Sequence, residues 1–284
     1  MDTRTAIKKF NIRPTKSLGQ NFLNDDAIIS HIVDAAGIGS GDLVIEIGPG
    51  LGSMTAELAA RAGRVVAVEI DKHLMPVLKE NLKEFPNVTL LNRDIMKVDI
   101  RKEILEMAEL ADSGFKPDKI RVVANLPYYI TTPVIMKLLE QELPTECMVF
   151  MVQMEVADRM AAGPGGKEYG ALSVAVQFYS KPYKLFKVSP HSFIPQPGVE
   201  SSVIRLDIYK TPPVQVLDRK MFFKTVKSAF GQRRKTLINA LCNAGCFNKS
   251  KDEIRELLKN LGIEENQRGE TLSLEQFAQL SNSL

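Results

Sequence analysis

Residues 125 to 133 read NLPYYITTP, and they follow the apolar run IRVVA. The β-branched residues of that run predict a buried strand. A short polar turn would end such a strand, but the chain places there an amide, a proline ring and two aromatic side chains: Asn125, Pro127, Tyr128 and Tyr129. An amide oxygen beside aromatic surfaces suits a flat, weakly basic ligand. The alternative is a proline turn whose tyrosines pack on neighbouring helices.

A glycine-rich loop precedes this motif in the chain. Gly48, Gly50 and Gly52 lie between the predicted strand DLVIEIG and the predicted helix SMTAELAARAG. Glycine permits a tight turn and a close approach of the backbone to a ligand. A dinucleotide-binding fingerprint needs another glycine three residues after Gly50, where this chain has Ser53. The loop therefore disfavours a pyrophosphate ligand, and a tight strand-to-helix connection is its simplest alternative explanation.

Two acidic residues accompany the next two predicted strands. Glu69 ends VVAVEI, and Asp94 follows VTLLN. A carboxylate at the first position can accept hydrogen bonds from both ribose hydroxyls, and one at the second can accept from an adenine amino group. Each acid alone is more often a helix cap or a surface charge. Together with the glycines after the preceding strand, they favour a nucleoside cofactor, in the pattern of S-adenosylmethionine methyltransferases.

The elements that position these residues alternate between short strands and helices. This alternation predicts an α/β fold with a Rossmann-like, mostly parallel sheet, and the segments YKLFKVS and SSVIRLDIY predict a closing antiparallel pair. Asn24, Asp71 and Thr132 are the predicted N-caps of three helices, with Pro133 as the first helical residue after Thr132.

The composition break KTPPVQ, at residues 210–215, predicts a domain boundary. It divides the chain into a methyltransferase domain at 1–209, which begins with a basic N-terminal arm, and a small all-α domain at 210–284. A chain of 284 residues is long enough for both domains. The second domain is predicted to contain helices alone, over 218–230, 233–244, 251–261 and 273–280.

Basic residues are distributed unevenly, although the net charge is only +3. The first sixteen residues contain five basic residues and one acid, and residues 219–235 contain seven basic residues and no acid. Clusters of this kind suit phosphate backbones, and a solvated helix face is the alternative. The predicted contacts to nucleic acid are Arg219, Lys220, Lys224, Lys227, Arg233, Arg234 and Lys235.

The bulk features of the sequence disfavour several classes of protein. No apolar run approaches the ~18 residues of a membrane span. The basic N-terminus lacks the apolar core that a secretory signal requires. The three cysteines lack CxxC spacing and the three histidines are widely separated, so no metal site is predicted. The odd number of cysteines indicates a reducing compartment, so we expect a cytoplasmic protein. A monomer is the default expectation.

The chain resembles the ribosomal RNA adenine dimethyltransferases that act on small-subunit RNA. The resemblance covers nearly the whole chain, in the motif order SLGQNFLND, EIGPGLGSMT, VEID, RDIM, NLPYYITTP, QMEVADRM, HSFIPQPGVESSVIRL and FGQRRKTLINAL. It implies an enzyme of ribosome biogenesis that dimethylates the N6 amines of two adjacent adenosines, in a loop near the 3′ end of 16S rRNA. Some members carry Asn where this chain has Tyr129, so the resemblance assigns no role to Tyr129.

The resemblance also implies roles for individual residues. S-adenosylmethionine would contact Asn21, Leu23, Gly48, Glu69, Asp94 and Asn125, and Gly50 lies in the same glycine loop. The NLPY residues and Phe193 would surround the target base. In this arrangement the Asn125 side-chain oxygen and the Leu126 carbonyl accept the two N–H bonds of the adenine amine. Pro127 stiffens the turn, and Tyr128 and Phe193 stack on the base.

Three rival interpretations stay open at this point. A methyltransferase of the antibiotic-resistance type, acting on 23S rRNA, shares the fold, the cofactor and an NLPY-like turn. The motifs KSLGQNFL and FGQRRKTLINAL favour the small-subunit family over that rival. A non-catalytic assembly factor is disfavoured by the intact Asn125, Tyr128 and Glu69, although both roles can coexist. A nicotinamide dehydrogenase is disfavoured by Ser53.

Overall fold

The computed structural model describes residues 3–15, 18–105, 115–232 and 234–284. Its helices are α1 (Thr3–Lys9), α2 (Asp26–Ala36), α3 (Ser53–Ala59), α4 (Met75–Asn81), α5 (Thr131–Glu140), α6 (Met154–Ala161), α7 (Ala171–Tyr179), α8 (Arg219–Gly231), α9 (Leu237–Ala244), α10 (Lys251–Asn260) and α11 (Leu274–Ser283). Its strands are β1 (Phe22–Leu23), β2 (Leu43–Ile47), β3 (Arg64–Glu69), β4 (Val88–Asn92), β5 (Ile120–Asn125), β6 (Thr145–Gln153), β7 (Ser180–Val188), β8 (Phe193–Ile194) and β9 (Ser201–Ile208). None of the helices in these ranges is both long and apolar enough to cross a bilayer.

A mostly parallel sheet forms the centre of the fold, in the strand order β4-β3-β2-β5-β6-β9-β7. Strands β2 to β6 pair in parallel with their neighbours, and β9 runs antiparallel to β6. The predicted Rossmann-like fold with a terminal antiparallel strand is confirmed. The chain leaves β2 toward β3 on one side and later adds β5 on the other side. The strand order therefore reverses between β2 and β5, which is where open α/β sheets bind ligands.

The sheet is held by burial on both faces, as expected for parallel strands. Every residue of β2, β3 and the first five positions of β5 is buried. Helix α2 contributes an apolar stripe to one face through Ile29, Ile32 and Val33, which pack with Val44 and Val149 of the sheet. A second apolar cluster forms where Phe22 and Leu51 pack against α4. The strands were predictable because a strand that is buried on both faces of a sheet forms a continuous apolar run in the sequence.

Three predicted helix starts were wrong by one residue or more. The N-cap of α2 is Asp25 rather than Asn24, because the Asp25 carboxylate accepts the Ile28 N–H at 3.2 Å. Asp71 does not cap α4, which begins at Met75. Helix α5 begins at Thr131, one residue before the predicted cap. Pro133 is still tolerated there because the first N–H groups of a helix have no intrahelical acceptor.

The described residues fall into two compact units, one from 1–157 with 183–208 and one from 158–182 with 209–284. One border lies next to the predicted 209/210 boundary, but residues 158–182, assigned above to the first domain, belong to the second unit. The reason is local packing. Tyr169, Val174 and Phe178 share an apolar core with the C-terminal helices, and the Tyr169 hydroxyl donates to Leu272 O at 2.9 Å.

The helices of the second unit differ from the predicted spans at one important point. Helix α8 begins after Asp218, whose carboxylate accepts the Lys220 N–H at 2.7 Å. Helix α9 begins at Leu237 rather than at residue 233, with Thr236 as its N-cap residue. A distant contact accompanies this later start, since the Leu237 N–H donates to Gln267 O at 2.7 Å.

Candidate active site

A cleft opens at the carboxyl ends of the parallel strands, where the strand order reverses. It encloses about 1170 Å³, including the solvent at its mouth. Every residue predicted to contact the cofactor or the target base lines this one cleft: Asn21, Leu23, Gly48, Gly50, Glu69, Asp94, Asn125, Leu126, Pro127, Tyr128 and Phe193. The fold thus brings together residues that are up to 172 positions apart in the chain. Their individual roles stay predictions.

The glycine loop forms one wall of the cleft. Gly48 and Gly50 have φ values of 70° and 60°, which lie in the left-handed region that side chains disfavour. A Cβ on Gly50 would lie 3.1 Å from Cδ1 of Phe22, which is too close without a shift. The Gly48 N–H donates to Val68 O at 3.0 Å, which ties the loop to the neighbouring strand. Glycine is therefore required both by the backbone conformation and by the packing of Phe22.

Glu69 is buried at the end of β3, and its carboxylate is already partly engaged. Its two oxygens accept the Asp71 N–H at 2.8 Å and the Gly50 N–H at 3.3 Å. Burial raises the pKa of this carboxyl to about 6. The two backbone donors lower the pKa, but their effect is smaller than that of burial. These donors fix the carboxylate in the cleft and leave it further lone pairs for a ligand.

Asp94 and two isoleucines form the next part of the wall. The Asp94 carboxylate accepts the Met96 N–H at 2.9 Å and stays partly exposed. Ile70 follows Glu69 and is 48% exposed, although it is a large apolar residue. Ile95 follows Asp94, and both isoleucines line the cleft. A polar group beside two apolar surfaces matches a flat heterocycle that carries an amino group.

The NLPY turn carries two oxygen acceptors on residues that line the cleft. The Asn125 side chain donates from Nδ2 to Asn21 O at 3.2 Å, which leaves its Oδ1 as an acceptor. The Leu126 N–H donates to Met151 O at 3.1 Å, which holds the turn against β6. Within the described ranges, no group donates a hydrogen bond to Asn125 Oδ1 or to Leu126 O. These two oxygens are the free acceptors that an amine requires.

The two predicted stacking residues differ in exposure. The Tyr128 ring is half-buried, and its hydroxyl lies 2.7 Å from Ser201 Oγ. Burial raises the pKa of that hydroxyl, so Tyr128 stays neutral. Phe193 is only 2% exposed and packs in the apolar cluster that contains Leu23. Phe193 thus borders the cleft with a small part of its ring, while Tyr128 offers the larger surface.

The segment from Gly19 to Leu23 contacts two separate parts of the cleft. Its Asn21 carbonyl accepts the Asn125 amide, and Gln20 Nε2 donates to Asp71 Oδ2 at 2.8 Å. Strand β1 in this segment pairs with β8, so Leu23 lies opposite Phe193. The bond to Gln20 also explains why Asp71 is not a helix cap, since its second oxygen accepts the His73 N–H.

Glu46 is a cleft residue that the sequence predictions missed. It lies in β2, has no exposed surface and lines the cleft. Neither of its carboxyl oxygens has a hydrogen bond of good geometry among the described residues, although the buried Thr55 hydroxyl lies close enough to lower the pKa of Glu46 slightly. Burial raises the pKa of Glu46 to about 8. The signal was present in the sequence, because an acid inside the apolar run DLVIEIG is unusual, and acids are almost never fully buried unless they are paired.

We predict that Glu46→Gln changes how stability depends on pH. Glu46 ionises near 4.5 in the unfolded chain and near 8 in the folded one. Between these values unfolding releases a proton, so the wild-type free energy of unfolding falls as the pH rises. The amide of the variant cannot ionise, so its stability relative to wild type should rise by up to about 5 kcal/mol from pH 4.5 to pH 8, at ~1.4 kcal/mol for each pH unit.

Urea unfolding of the ligand-free protein at several pH values measures this difference. Glu80 on α4 is partly exposed and lies outside the cleft, so Glu80→Gln makes the same chemical change there and provides the matched control. Parallel pH profiles for wild type and Glu46→Gln would contradict the prediction.

The predicted nucleic-acid contacts lie in the second unit. Lys220, Lys224 and Lys227 recur at helical spacing on α8, and all three are exposed, which places them on one face. Arg219, Arg234 and Lys235 are also exposed, and Arg233 lies outside the described residues. The face is not purely solvated, since Lys224 Nζ lies 5.3 Å from the centre of the Phe247 ring.

The sheet order and the cleft at its switch point define a Rossmann-like methyltransferase. Free oxygen acceptors at a glycine-walled cleft suit the transfer of a group to an amine, and the loop lacks the glycine spacing of a dinucleotide site. The chain matches the family model described as "Ribosomal RNA adenine dimethylase" over residues 11–284, and it belongs to that family. The family predicted from the sequence is therefore confirmed.

Individual relatives agree with this assignment. The ribosomal RNA small subunit methyltransferase A of Alkaliphilus oremlandii is 52% identical over 282 residues, which cover 99% of this chain and 96% of that protein. The protein of the same name from Clostridioides difficile is 50% identical over 280 residues, covering 99% and 94%. A solved dimethyladenosine transferase from Plasmodium falciparum has a TM-score of 0.74 at 26% identity, covering 91% and 95%. The 23S rRNA methyltransferase ErmE shares the fold, with a TM-score of 0.68 at 24% identity, covering 93% and 99%.

Proposed function

We propose that this chain uses S-adenosylmethionine to dimethylate the N6 amines of two adjacent adenosines, in a loop near the 3′ end of small-subunit ribosomal RNA. It acts in the cytoplasm, as a monomer, during assembly of the small subunit. The membership in the adenine dimethylase family and the names of the relatives at about 50% identity support this substrate.

One observation carries the chemistry: Asn125 Oδ1 and Leu126 O are free acceptors in the same cleft as Glu69 and Asp94. An adenine amine is a poor nucleophile because its lone pair is delocalised into the ring. Two acceptors that hold its N–H bonds favour a pyramidal nitrogen, with the lone pair directed at an electrophile. The same two acceptors also fix the position of the nitrogen.

The cleft fits the proposed cofactor. We expect the Glu69 carboxylate to accept hydrogen bonds from two ribose hydroxyls, and Asp94 with Ile70 and Ile95 to contact the adenine ring. The buried carboxyl of Glu46 lies in the same cleft, where a cationic ligand would compensate it. When bound, S-adenosylmethionine supplies an electrophilic methyl group on a sulfonium centre.

The chain's own residues then have a limited task. Asn125 and Leu126 hold and orient the amine, Pro127 stiffens the turn without offering a competing N–H, and Tyr128 stacks on the base. The Thr131 hydroxyl donates to Pro127 O at 3.0 Å, so that carbonyl already has a hydrogen-bond donor. No side chain has to act as a strong base, because the proton is lost to water after the nitrogen has been methylated.

An adenine inside a duplex cannot reach these acceptors, so the target base must be unstacked or already lie in a loop. We infer that the basic face of α8 binds RNA phosphates beside such a loop. Replacing Lys220 and Lys227 by Ala should weaken RNA binding and reduce the slope of log affinity against log salt by about 1.5.

A filter-binding titration over a range of salt concentrations measures that slope. The matched control replaces Lys251 and Lys259, which are exposed on α10 in the same unit. An unchanged slope in the Lys220 and Lys227 variant, or an equal change in the control, would exclude the phosphate contacts.

The proposed function is tested with purified protein and labelled S-adenosylmethionine, in separate reactions with small and with large ribosomal subunits that lack the modification. Nucleoside analysis should find dimethyladenosine, and primer extension should stop at two adjacent positions near the 3′ end. Dimethyladenosine in large-subunit RNA alone would support the antibiotic-resistance type instead. Binding to small subunits without any methyl transfer would support an assembly factor.

A further inference from the structure

Tyr129 is the last aromatic residue of the NLPYY turn, and it is far more exposed than its neighbours. Leu126 is 1% exposed and Tyr128 is half-buried, whereas Tyr129 is 55% exposed. It also lines the cleft, so this exposed ring lies at the cleft mouth. A tyrosine that only filled space between helices would be buried.

The Tyr129 ring is held in place despite its exposure. Gly19 has a φ of 56°, and a Cβ at that residue would lie 3.2 Å from Cδ1 and 3.6 Å from Cε1 of the ring. The ring therefore packs directly on a backbone that has no side chain. The turn itself is fixed by the Ile130 N–H, which donates to Pro127 O at 3.2 Å. The result is a preorganised aromatic surface with one side open.

The chemistry of this surface is apolar. The Tyr129 hydroxyl makes no hydrogen bond within the described ranges, and the residue does not belong to the apolar clusters that form the core. An open aromatic face at the mouth of a nucleotide-binding cleft is suited to stacking, which tolerates any base because every base has a π-face.

We propose that Tyr129 is a positioning residue that stacks on the nucleotide next to the target adenosine. This inference rests on the proposed function, because it requires an RNA strand that enters the cleft with one base unstacked. While Asn125 and Leu126 hold the target amine, the flanking base leaves the cleft at its mouth, where Tyr129 supports it. The stack lowers the entropy cost of holding the strand in a bent path.

The test is steady-state methylation of unmodified small subunits by Tyr129→Ala, Tyr129→Leu and Tyr129→Phe. We expect Tyr129→Ala to raise KM for the subunits about tenfold and to change kcat less than twofold, since stacking contributes at this scale. Tyr129→Phe keeps the ring and should retain the wild-type KM, and Tyr129→Leu should resemble Tyr129→Ala. Tyr183→Ala removes another exposed tyrosine, outside the cleft, and is the matched control.

Two measurements separate this inference from its alternatives. Affinity for S-adenosylhomocysteine and the thermal midpoint should stay at wild-type values in Tyr129→Ala. A loss of both would show a purely structural ring and overturn the proposal, as would an unchanged KM or a Tyr129→Phe variant as defective as Tyr129→Ala. Absence of methylation by the wild-type protein would instead reject the proposed function, and this inference with it.

Discussion

Asn125→Ala should lower kcat for methyl transfer by about 10²–10³-fold and leave the affinity for small subunits nearly unchanged. The reason is that Asn125 Oδ1 is one of two oxygens free to accept the N–H bonds of the target amine. Removing one preorganised hydrogen-bonding group from a reacting centre has an effect of this size in other enzymes. Single-turnover methylation, together with subunit binding, measures the two quantities separately.

A second substitution distinguishes the acceptor from the structural contact. Asn125→Asp keeps an oxygen at this position but loses the donor to Asn21 O. It should therefore recover part of the activity that Asn125→Ala loses. Full activity in Asn125→Ala would remove Asn125 from the mechanism, and equal inactivity of both variants would show that the contact to Asn21 dominates.

Glu69→Ala should weaken the binding of S-adenosylmethionine by about 10²-fold or more. Two ribose hydroxyls would lose a charged acceptor, and each hydrogen bond to a charged group contributes about 1.5–3 kcal/mol. The alanine also leaves the Gly50 and Asp71 N–H groups without their acceptor, which loosens the glycine loop. Isothermal titration with the cofactor measures the affinity directly.

The pH dependence of this binding gives a sharper test. Burial raises the pKa of Glu69 to about 6 in the ligand-free protein. Only the ionised carboxylate accepts from both hydroxyls, so the wild-type affinity should be constant above pH 6 and fall about tenfold per pH unit below it. Glu69→Gln should bind weakly at every pH and lack this dependence. The control Glu80→Gln should follow wild type, and a flat wild-type profile would contradict the ribose contact.

The parallel sheet and most of the cleft were predictable from local patterns. The strands are continuous apolar runs, and residues at their carboxyl ends necessarily meet at one edge of the sheet. For that reason Gly48, Glu69, Asp94 and Asn125 converge as expected from their positions alone. Convergence follows from topology, whereas hydrogen-bonding roles depend on partners that the sequence does not identify.

Some of the wrong predictions failed because distant parts of the chain supply the contacts. Asp71 was predicted to be a helix cap, but its carboxylate accepts hydrogen bonds from the Gln20 side chain and the His73 N–H instead. Residues 158–182 looked like part of the sheet domain because the chain returns to the sheet after them.

The position of residues 158–182 in the second unit limits how the protein can be divided into fragments. The backbone passes between the two units three times, near residues 157, 182 and 208, so neither unit is a continuous stretch of sequence. A fragment that stopped at 209 would retain Tyr169, Val174 and Phe178 but lack Phe222 and Phe277, with which they share a core. Those side chains would then face water, and the fragment would tend to aggregate. Biochemical work on the catalytic half therefore requires either the intact polypeptide or a shortened one in which the segment 158–182 has been redesigned.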